Sequence, residues 1–539
     1  MRIRHGLILV SLMSATMVHA QRGADTVLKG STIEVTQSYK PKVKQAPKPE
    51  WKPAMPAVDT SRPRLNFDVP QQTLYYAYNS TPLRPLALGK NTGEQAYPNY
   101  VKLGGGNLST IYGEAGIGSI RGKDHETAIH LHHISQKGQI VNQRSSLSGA
   151  DAAFAMHKPA EDWHAGLSAA HNRYSYYGYD HMLYNYEQED VRQAYTSVRI
   201  SAGMDNNKDT SSELSYAPDI SASYYAARHN TSEISAMLHV PVTYKLNKSL
   251  GLHIDLSGAV ASYKADTITT PNNYVIAAPG LKLNTKNFSG HALVGFGLGK
   301  GSNGYILPDL QATLELPNLS AWVTGGWKAS LRQNTYEQLT TENPYMASLY
   351  PVVQTRRDEI FLQVQGGGGD HFAYSAKASW WNYAGLPTFL NDTGDQKTFR
   401  LIYQDVQAIS AQVSGRYFVA RHWSAGLTAE LFSFYSSTDL HVWHEPTTRI
   451  TADVTYDVTK KLHTSLGFCF LGGIHARDAQ YNAIVLNPVT DLNINGEYQI
   501  LPRLSAFLQV NNLLNNKYQR WYGYQVYGIN IYGGLRLKF

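Results

Sequence analysis

Hydrophobic and polar residues alternate with a period of two along most of the chain after residue 98. In segment 449–458 every second residue is apolar, and the residues between them are polar or charged. Segments 309–316 and 491–498 follow the same pattern. Because successive side chains of a strand point to opposite faces, each segment predicts a β-strand with one apolar and one polar face. The pattern therefore predicts an all-β fold.

The connections between these strands alternate in length. We predict about 22 strands between residues 99 and 538, and an even number places both ends of a sheet on one side. Short turns on one side and long loops on the other are typical of transmembrane antiparallel β-barrels. The short connections are 247–248, 317–318, 421–422 and 502–503, and the longer ones are 266–271, 334–351, 384–397 and 477–486.

The last strand distinguishes a membrane barrel from a soluble β-sandwich, which also alternates. Ile529, Ile531, Leu535, Leu537 and Phe539 share one face, and polar residues and Tyr532 share the other. A final strand that ends in phenylalanine resembles the assembly signal of bacterial outer-membrane barrels. We therefore predict that residues 99–539 form an outer-membrane β-barrel, with Phe539 as its assembly signal.

The first 98 residues differ from the rest. Residues 1–20 combine Arg2 and Arg4 with an apolar run and the small-residue site Val18-His19-Ala20, which predicts a cleaved signal peptide. Residues 21–98 are rich in proline and lysine, which favours an extended conformation over a packed core. We predict a periplasmic or lumen-entering segment there, and a role as a tether and disorder without a role are both open.

Composition narrows the function classes. Of 539 residues only 17% are charged, while 37 are tyrosine and 44 are glycine, as expected for a long all-β chain. The single cysteine, Cys469, excludes a disulfide framework and any cysteine-based metal cluster. The net charge of +7 is too diffuse to indicate nucleic-acid binding.

Aromatic residues cluster along the sequence. The clusters lie at 174–186, 380–383 and 521–524. Amphipathic rings at the headgroup level of a membrane explain them without a ligand, and a carbohydrate-stacking site at 174–186 is the alternative. The glycine runs 104–106 and 366–369 lack the features of phosphate loops and indicate bulges, turns or close strand approach.

Candidate chemistry is sparse. His130 and His132 share a strand face that we expect to point into the lumen, with His133 on the other face. Two imidazoles at that spacing suit a divalent metal, but no third ligand is evident nearby, so solvated lumen histidines are the preferred interpretation. Acids such as Asp309, Glu315, Asp453 and Glu497 are expected to line a watery interior. We predict no enzyme activity, no catalytic residue, no metal and no cofactor.

The C-terminal segment resembles the end of TonB-dependent receptors. In that family an Asn-Leu-Leu/Phe-Asn-Lys-Lys-Tyr motif precedes the last strand, and Asn512, Leu513, Leu514, Asn515, Lys517 and Tyr518 match it. Segment 99–107 also resembles the first strand of plugless members from Bacteroidetes-type bacteria. The resemblance implies a 22-strand barrel over about 440 residues, embedded in outer-membrane lipid and lipopolysaccharide and inserted by the barrel assembly machinery.

The resemblance also implies a plug domain, which we do not expect to find in this sequence. Residues 21–98 are too few and too rich in proline for that mixed α/β fold, although Ile33-Glu34-Val35-Thr36 resembles the box that pairs with TonB. A barrel of this size without a filling would leak. We expect the lumen to be occluded by segment 21–98, by long loops folded inward, or by a separate plug or lipoprotein.

Three functions follow from these observations. Nutrient uptake across the outer membrane is the leading hypothesis, with TonB or a separate plug protein as partner and no role for nucleic acid. A structural or secretion-associated barrel that docks proteins and a passive porin are the alternatives. Ligand contacts are expected in the loops 178–188 and 334–357, and the candidate residues are Tyr179, His181, Tyr336, Asn343 and Tyr345.

Overall fold

A computed structural model describes most of the chain from residue 99 to residue 539. The described part omits residues 123, 207–211, 229, 300–303, 349–350, 370, 393, 395, 420–421 and 438–440. The predicted signal peptide at 1–20, the segment 21–98 and the box at 33–36 lie outside the described residues and stay predictions.

The described residues form 28 strands and one α-helix, and the alternating segments become strands throughout. Those of the first half are β1 (Tyr100–Gly106), β2 (Ile111–Arg121), β3 (His125–Lys137), β4 (Arg144–His157), β5 (Asp162–Ser175), β6 (Arg192–Asp205), β7 (Leu214–Tyr216), β8 (Asp219–Ala227), β9 (Thr231–Lys245), β10 (Leu250–Ala265), β11 (Ile268–Pro271), β12 (Tyr274–Asn284), β13 (Phe288–Gly299) and β14 (Tyr305–Leu316).

The second half contains the helix and the longest strands. Its elements are β15 (Ala321–Gln333), α1 (Tyr336–Glu342), β16 (Gln354–Gly368), β17 (Phe372–Asn391), β18 (Phe399–Val419), β19 (Trp423–Ser436), β20 (Thr448–Thr459), β21 (Leu462–Gly472), β22 (His475–Arg477), β23 (Ala483–Val485), β24 (Val489–Leu501), β25 (Leu504–Asn511), β26 (Gln519–Trp521), β27 (Tyr524–Gln525) and β28 (Asn530–Lys538). A 3₁₀ turn, Pro317–Leu319, links β14 to β15.

The strands close into one antiparallel barrel. β1 pairs with β2 on one side and with β28 on the other, so that the first and last strands join at a seam. β7 and β8 both pair with β9, and β11 and β12 both pair with β10, so each of these two pairs forms one interrupted wall strand. The hairpins β22–β23 and β26–β27 are separate from the wall. The wall therefore has 22 strands, which confirms the predicted number.

The outer face of the wall is apolar, as the alternation predicts. Leu535 and Leu537 of the last strand are 52% and 51% exposed on that face, beside Phe539, whereas Tyr532 of the opposite face is buried. Exposed leucine, isoleucine and valine side chains recur at alternate positions of other wall strands, such as Leu252, Ile254 and Leu256 of β10. A continuous apolar surface around a closed barrel is the surface that contacts lipid in outer-membrane barrels.

The connections alternate in length around the barrel, but three predicted long loops contain strand residues. The predicted loop 266–271 contains β11 (Ile268–Pro271), and the predicted loop 477–486 contains β23 (Ala483–Val485). The expected loop 384–397 is wrong, because β17 continues to Asn391 and leaves only residues 392–398 between the strands. A register shift between Tyr383 and Leu386, with Gly385 at a φ of 70°, lets the strand continue past the irregularity. Strands β17 and β18 consequently extend farther toward the long-loop end of the barrel than most others.

The glycine run 104–106 lies at the seam, which confirms the prediction of close strand approach. A Cβ atom on Gly104 would lie 2.6 Å from the carbonyl oxygen of Gly533 and 2.7 Å from Cζ of Phe507. Gly104 pairs with Gly534 across the seam, so neither strand carries a side chain at this point. Glycine is required here because the backbones leave no room for a larger residue.

α1 is short and lies in the loop between β15 and β16. It begins after Thr335, whose hydroxyl accepts a hydrogen bond from the Gln338 amide at 3.2 Å. In the described part of the chain, no helix has the length and apolar character needed to cross a membrane.

Candidate functional site in the barrel lumen

The inner face of the wall is polar and carries paired charges. Some of these pairs join histidine to carboxylate, and others join arginine to carboxylate. The predicted lumen acids Asp309, Asp453 and Glu497 take part in these pairs. The pairs are His239–Asp255 at 2.8 Å, His291–Asp309 at 2.9 Å, Arg416–Asp453 at 2.8 Å and Arg536–Glu497 at 3.2 Å. Such a lining suits a water-filled interior.

Several loops at the long-loop end fold inward and pack against one another. We call their residues 176–191, 334–348, 441–447 and 512–529 the loop cover. Its largest hydrophobic cluster joins loop residues to aromatic residues on the lumen face of the wall, such as Tyr195, Tyr225, Tyr263 and Phe399. The cover is therefore anchored inside the wall and does not project from its rim.

Three tyrosines from three loops meet within the cover. The rings of Tyr345 and Tyr524 stack with centroids 3.5 Å apart, and Tyr177 approaches them edge-on at 6.1 and 4.9 Å. Their loops follow the fifth, thirteenth and twenty-first wall strands. A closed wall of 22 strands that are about 4.8 Å apart and tilted by roughly 40° is about 40 Å across. Loops rooted so far apart can make contact only by crossing the mouth of the barrel.

A carboxylate on the wall holds the start of α1. Both oxygens of Glu233 accept backbone N–H groups, from Tyr336 at 2.7 Å and from Glu337 at 3.3 Å. Glu337 in turn pairs with Arg199 of the wall at 2.7 Å. Glu233 is buried, so these hydrogen bonds satisfy carboxyl oxygens that burial would otherwise leave without partners.

A second anchor surrounds Trp521. His444 donates from Nδ1 to the carbonyl of Phe389 at 2.7 Å, and its ring lies 5.1 Å from that of Trp521. Arg520 donates to the carbonyl of His444. Burial, and secondly the charge of Arg520, lower the pKa of His444 to about 3, so the imidazole is neutral at pH 7.

Below the cover the lumen contains a cavity of about 420 Å³ against the wall. Trp322, Tyr374, Gln365, Arg416 and Asp453 are among its lining residues. This combination of aromatic and charged groups resembles that of small-molecule sites, which place a few polar groups in an aromatic lining.

Comparison with solved structures identifies the architecture. The FrpB iron transporter from Neisseria meningitidis (F3-3 variant) is similar with a TM-score of 0.64 at 10% sequence identity, over 83% of this chain and 82% of that protein. The pyoverdine outer membrane receptor FpvA from Pseudomonas aeruginosa PAO1 has a TM-score of 0.60 at 11% identity, over 84% and 79% of the two chains. This chain has the barrel fold of the TonB-dependent receptors.

A third similar structure is the ferric-catecholate import receptor Fiu from Escherichia coli K12. Its TM-score is 0.60 at 9% identity, over 83% of this chain and 82% of Fiu. No protein-family model and no curated protein sequence matches the chain. The similarity to TonB-dependent receptors is therefore one of fold, and it confirms the predicted resemblance at that level.

The interface interpretation of the aromatic clusters is wrong for most of their members. Tyr174, Tyr176, Tyr177, Tyr179, Trp521 and Tyr524 are buried among loop and lumen residues, far from the lipid-facing side of the TonB-dependent receptor fold. Trp380 alone among Trp380, Trp381 and Tyr383 is exposed on the outer face. The spacing of these residues in the sequence does not predict their burial. Tyrosines in loops do not alternate as strand residues do, so no pattern shows whether they face the lumen or the lipid.

The candidate ligand residues all belong to the loop cover. Tyr336 and Asn343 are fully buried, Tyr179 is buried, and Tyr345 lies in the tyrosine contact described above. Nε2 of His181 donates to the carbonyl oxygen of Tyr177 at 3.1 Å, and the His181 ring lies 4.2 Å from that of Tyr179. The side chains of four of the five residues are therefore packed inside the loop cover in this conformation. Their role in ligand contact stays a prediction.

A carboxylate from the neighbouring strand lies beside the two lumen histidines. His130 and His132 lie on the lumen side as expected, but the expectation of no third ligand nearby is wrong. Asp151 lies directly opposite His130 on β4. Asp151 comes close to His130 because β3 and β4 pair in the sheet. The spacing of residues within one strand does not predict this contact.

Proposed function

We propose that this protein is an outer-membrane transporter that takes up a nutrient through its barrel, with the loop cover as the barrier that has to move. The observation that carries the proposal is the meeting of Tyr177, Tyr345 and Tyr524 across the mouth of a polar, 22-strand lumen. A lumen lined with charged pairs suits a hydrophilic solute, and a closed mouth argues for regulated passage. The names of similar structures, an iron transporter and siderophore receptors, support uptake as the function of this fold.

The cover distinguishes this proposal from a passive porin. A porin of this size keeps an aqueous channel open. In this protein, loops from opposite sides of the wall contact one another across the mouth of the barrel and obstruct the channel. We expect the purified protein to show low conductance in planar bilayers. A steady, high conductance without any change to the loops would contradict regulated uptake and favour the porin.

A cross-link separates uptake from a docking role. The variant Tyr345→Cys/Tyr524→Cys, treated with a short bifunctional maleimide on whole cells, ties two loops of the cover together. We expect growth on the limiting nutrient to stop in treated cells and to continue in cells with either single variant treated in the same way. Unchanged growth after complete cross-linking would show that solute does not pass through the cover, as a docking barrel predicts.

Energy coupling has its own test. The proposed partner TonB would act through Ile33–Thr36, and deletion of these four residues should abolish nutrient-dependent growth while leaving the barrel assembled. Uptake that survives this deletion would contradict coupling through that box.

A further inference from the structure

The lumen wall near the seam brings together two histidines and an aspartate. His130 and His132 lie on the lumen face of β3, and their rings are 5.6 Å apart at an angle of 28°. Asp151 of β4 is the register partner of His130. One ligand atom from each of the three residues lies within 4.8 Å of the other two.

Glu114 of β2 orients the first histidine. Its Oε1 lies 3.1 Å from Nε2 of His130, and the hydroxyl groups of Tyr100 and Tyr112 donate to the same carboxylate at 2.5 and 2.6 Å. In the neutral form of the His130 ring, a carboxylate that accepts from Nε2–H leaves Nδ1 unprotonated, and Nδ1 is the atom that faces Asp151 at 3.9 Å. This carboxylate–histidine arrangement is the one that supports metal ligands in proteins.

Gly149 makes room for the second histidine. It is the register partner of His132, and a Cβ atom on Gly149 would lie 2.7 Å from Nε2 of that ring. The His132 ring therefore lies over the bare backbone of β4, on the side where Asp151 is placed. Any larger residue at 149 would push the ring away from the other two ligands.

The site is open to solvent, so an ion can enter it. The side chains of His130 and Asp151 are 42% and 52% exposed to the lumen. Ligands of one zinc ion lie roughly 3.3 Å apart, given bonds of about 2.0–2.1 Å, so the three residues need movements on the order of 1 Å to bind it. Exposed side chains make such movements readily.

We propose that His130, His132 and Asp151 bind a divalent first-row transition-metal ion in the lumen wall. Two imidazoles and one carboxylate suit zinc, nickel, cobalt, copper or ferrous iron, and they disfavour magnesium and calcium, which prefer oxygen ligands. Three protein ligands leave positions for water or for a group carried by a solute. The binding site belongs to the wall, so it does not depend on whether the barrel transports the ion.

The test is calorimetric titration of the purified full-length barrel in detergent with Zn²⁺ at pH 7.5. We expect one site, loss of at least tenfold in affinity in Asp151→Ala and in His132→Ala, and no heat from Mg²⁺. Asp151 is exposed, so its removal leaves the fold intact, and heat-modifiable migration in gels checks that every variant is assembled. Glu114→Gln should weaken binding by about 10-fold, as loss of an orienting carboxylate does.

A matched control separates this site from ordinary lumen histidines. His164 pairs with the single carboxylate of Asp219 at 3.2 Å, and no second histidine takes part in that pair. His164→Ala should therefore bind Zn²⁺ like the wild type. Equal affinity and stoichiometry in the wild type, His132→Ala and Asp151→Ala would overturn the proposal, and so would the absence of saturable Zn²⁺ binding in the wild type. Cobalt absorption in the visible range gives a second readout, which should disappear in Asp151→Ala.

Discussion

Tyr345 and Tyr524 stack almost parallel, with ring centroids 3.5 Å apart and an interplanar angle of 19°. They come from loops that follow the thirteenth and twenty-first strands of a 22-strand wall. Their contact is the point at which the loop cover closes over the lumen. Aromatic pairs of this kind contribute about 0.5–1.5 kcal/mol beyond the burial of their area.

Loss of one ring should open the cover. We expect Tyr524→Ala to raise single-channel conductance in planar bilayers, because it removes the stack with Tyr345 and the edge contact with Tyr177. Tyr498→Ala is the control, since Tyr498 is exposed on the outer face and takes no part in the cover. An equal conductance in both variants would show that the tyrosine contact does not limit passage.

The anchor of α1 should govern the stability of its loop. Glu233→Gln replaces one of the two oxygens that accept the Tyr336 and Glu337 amides with an amide nitrogen, which cannot accept. A buried donor left without a partner costs about 1–3 kcal/mol, so the protection of these amides against hydrogen exchange should fall by roughly 5- to 100-fold. Glu213→Gln at the short-turn end is the control, because the Glu213 side chain accepts a hydrogen bond from Tyr244 and, among the described residues, has no contact with α1. Unchanged amide protection in Glu233→Gln would exclude this anchor.

Acid should loosen the cover through His444. Burial lowers the pKa of His444 from 6.5 to about 3. Between these pH values the imidazole is neutral while the loop is packed and becomes protonated when the loop is released. The stabilisation is complete above pH 6.5 and is lost progressively as the pH falls toward 3. We expect the near-ultraviolet circular dichroism of Trp521 to weaken in this range, measured as the difference from Trp521→Phe. His444→Asn should show a smaller change over the same range, and an identical change would contradict this assignment.

Alkaline conditions should act through Glu342 at the end of α1. Burial, and secondly the repulsion of Glu445, raise its pKa to about 7 in spite of three nearby guanidinium groups, those of Arg332, Arg449 and Arg520. The neutral Glu342 side chain stabilises the packed loop. This stabilisation is fully present below the ordinary pKa of 4.5 and is lost as the pH rises through 7. Conductance of the wild type should therefore rise between pH 6 and 8.5, whereas that of Glu342→Gln should stay flat. A rise of the same size in both proteins would assign it to another group.

The seam should not tolerate a side chain at Gly104. In Gly104→Val the new atoms would overlap the Gly533 carbonyl and the Phe507 ring, so we expect a large loss of the assembled, heat-modifiable form in gels. Gly368→Val is the matched control, because no atom of the described residues, apart from the two chain neighbours, lies within 4 Å of a Cβ placed on Gly368 of β16. Normal assembly of Gly104→Val would show that the strands can separate locally at the seam.

Much of the wall could be predicted from alternation alone. The apolar face of β28, the lumen direction of His130 and Asp453, and the number of strands all follow from a period of two, because each strand has one lipid face and one water face. The predicted strand bounds are wrong at β17. A bulge at Gly385 lets this strand continue into a segment that the sequence predicts to be a loop.

The sequence by itself determined the closed barrel, since alternating faces satisfy lipid, water and backbone hydrogen bonds at once only in that arrangement. Only the tertiary structure decided where the loops go and which wall residues meet. Tyr177, Tyr345 and Tyr524 are far apart in sequence, and Asp151 joins His130 through strand register. Loop sequences have no regular hydrophobic pattern from which their contacts could be predicted. The contacts across the lumen therefore depend on the closed wall, which brings the loops together.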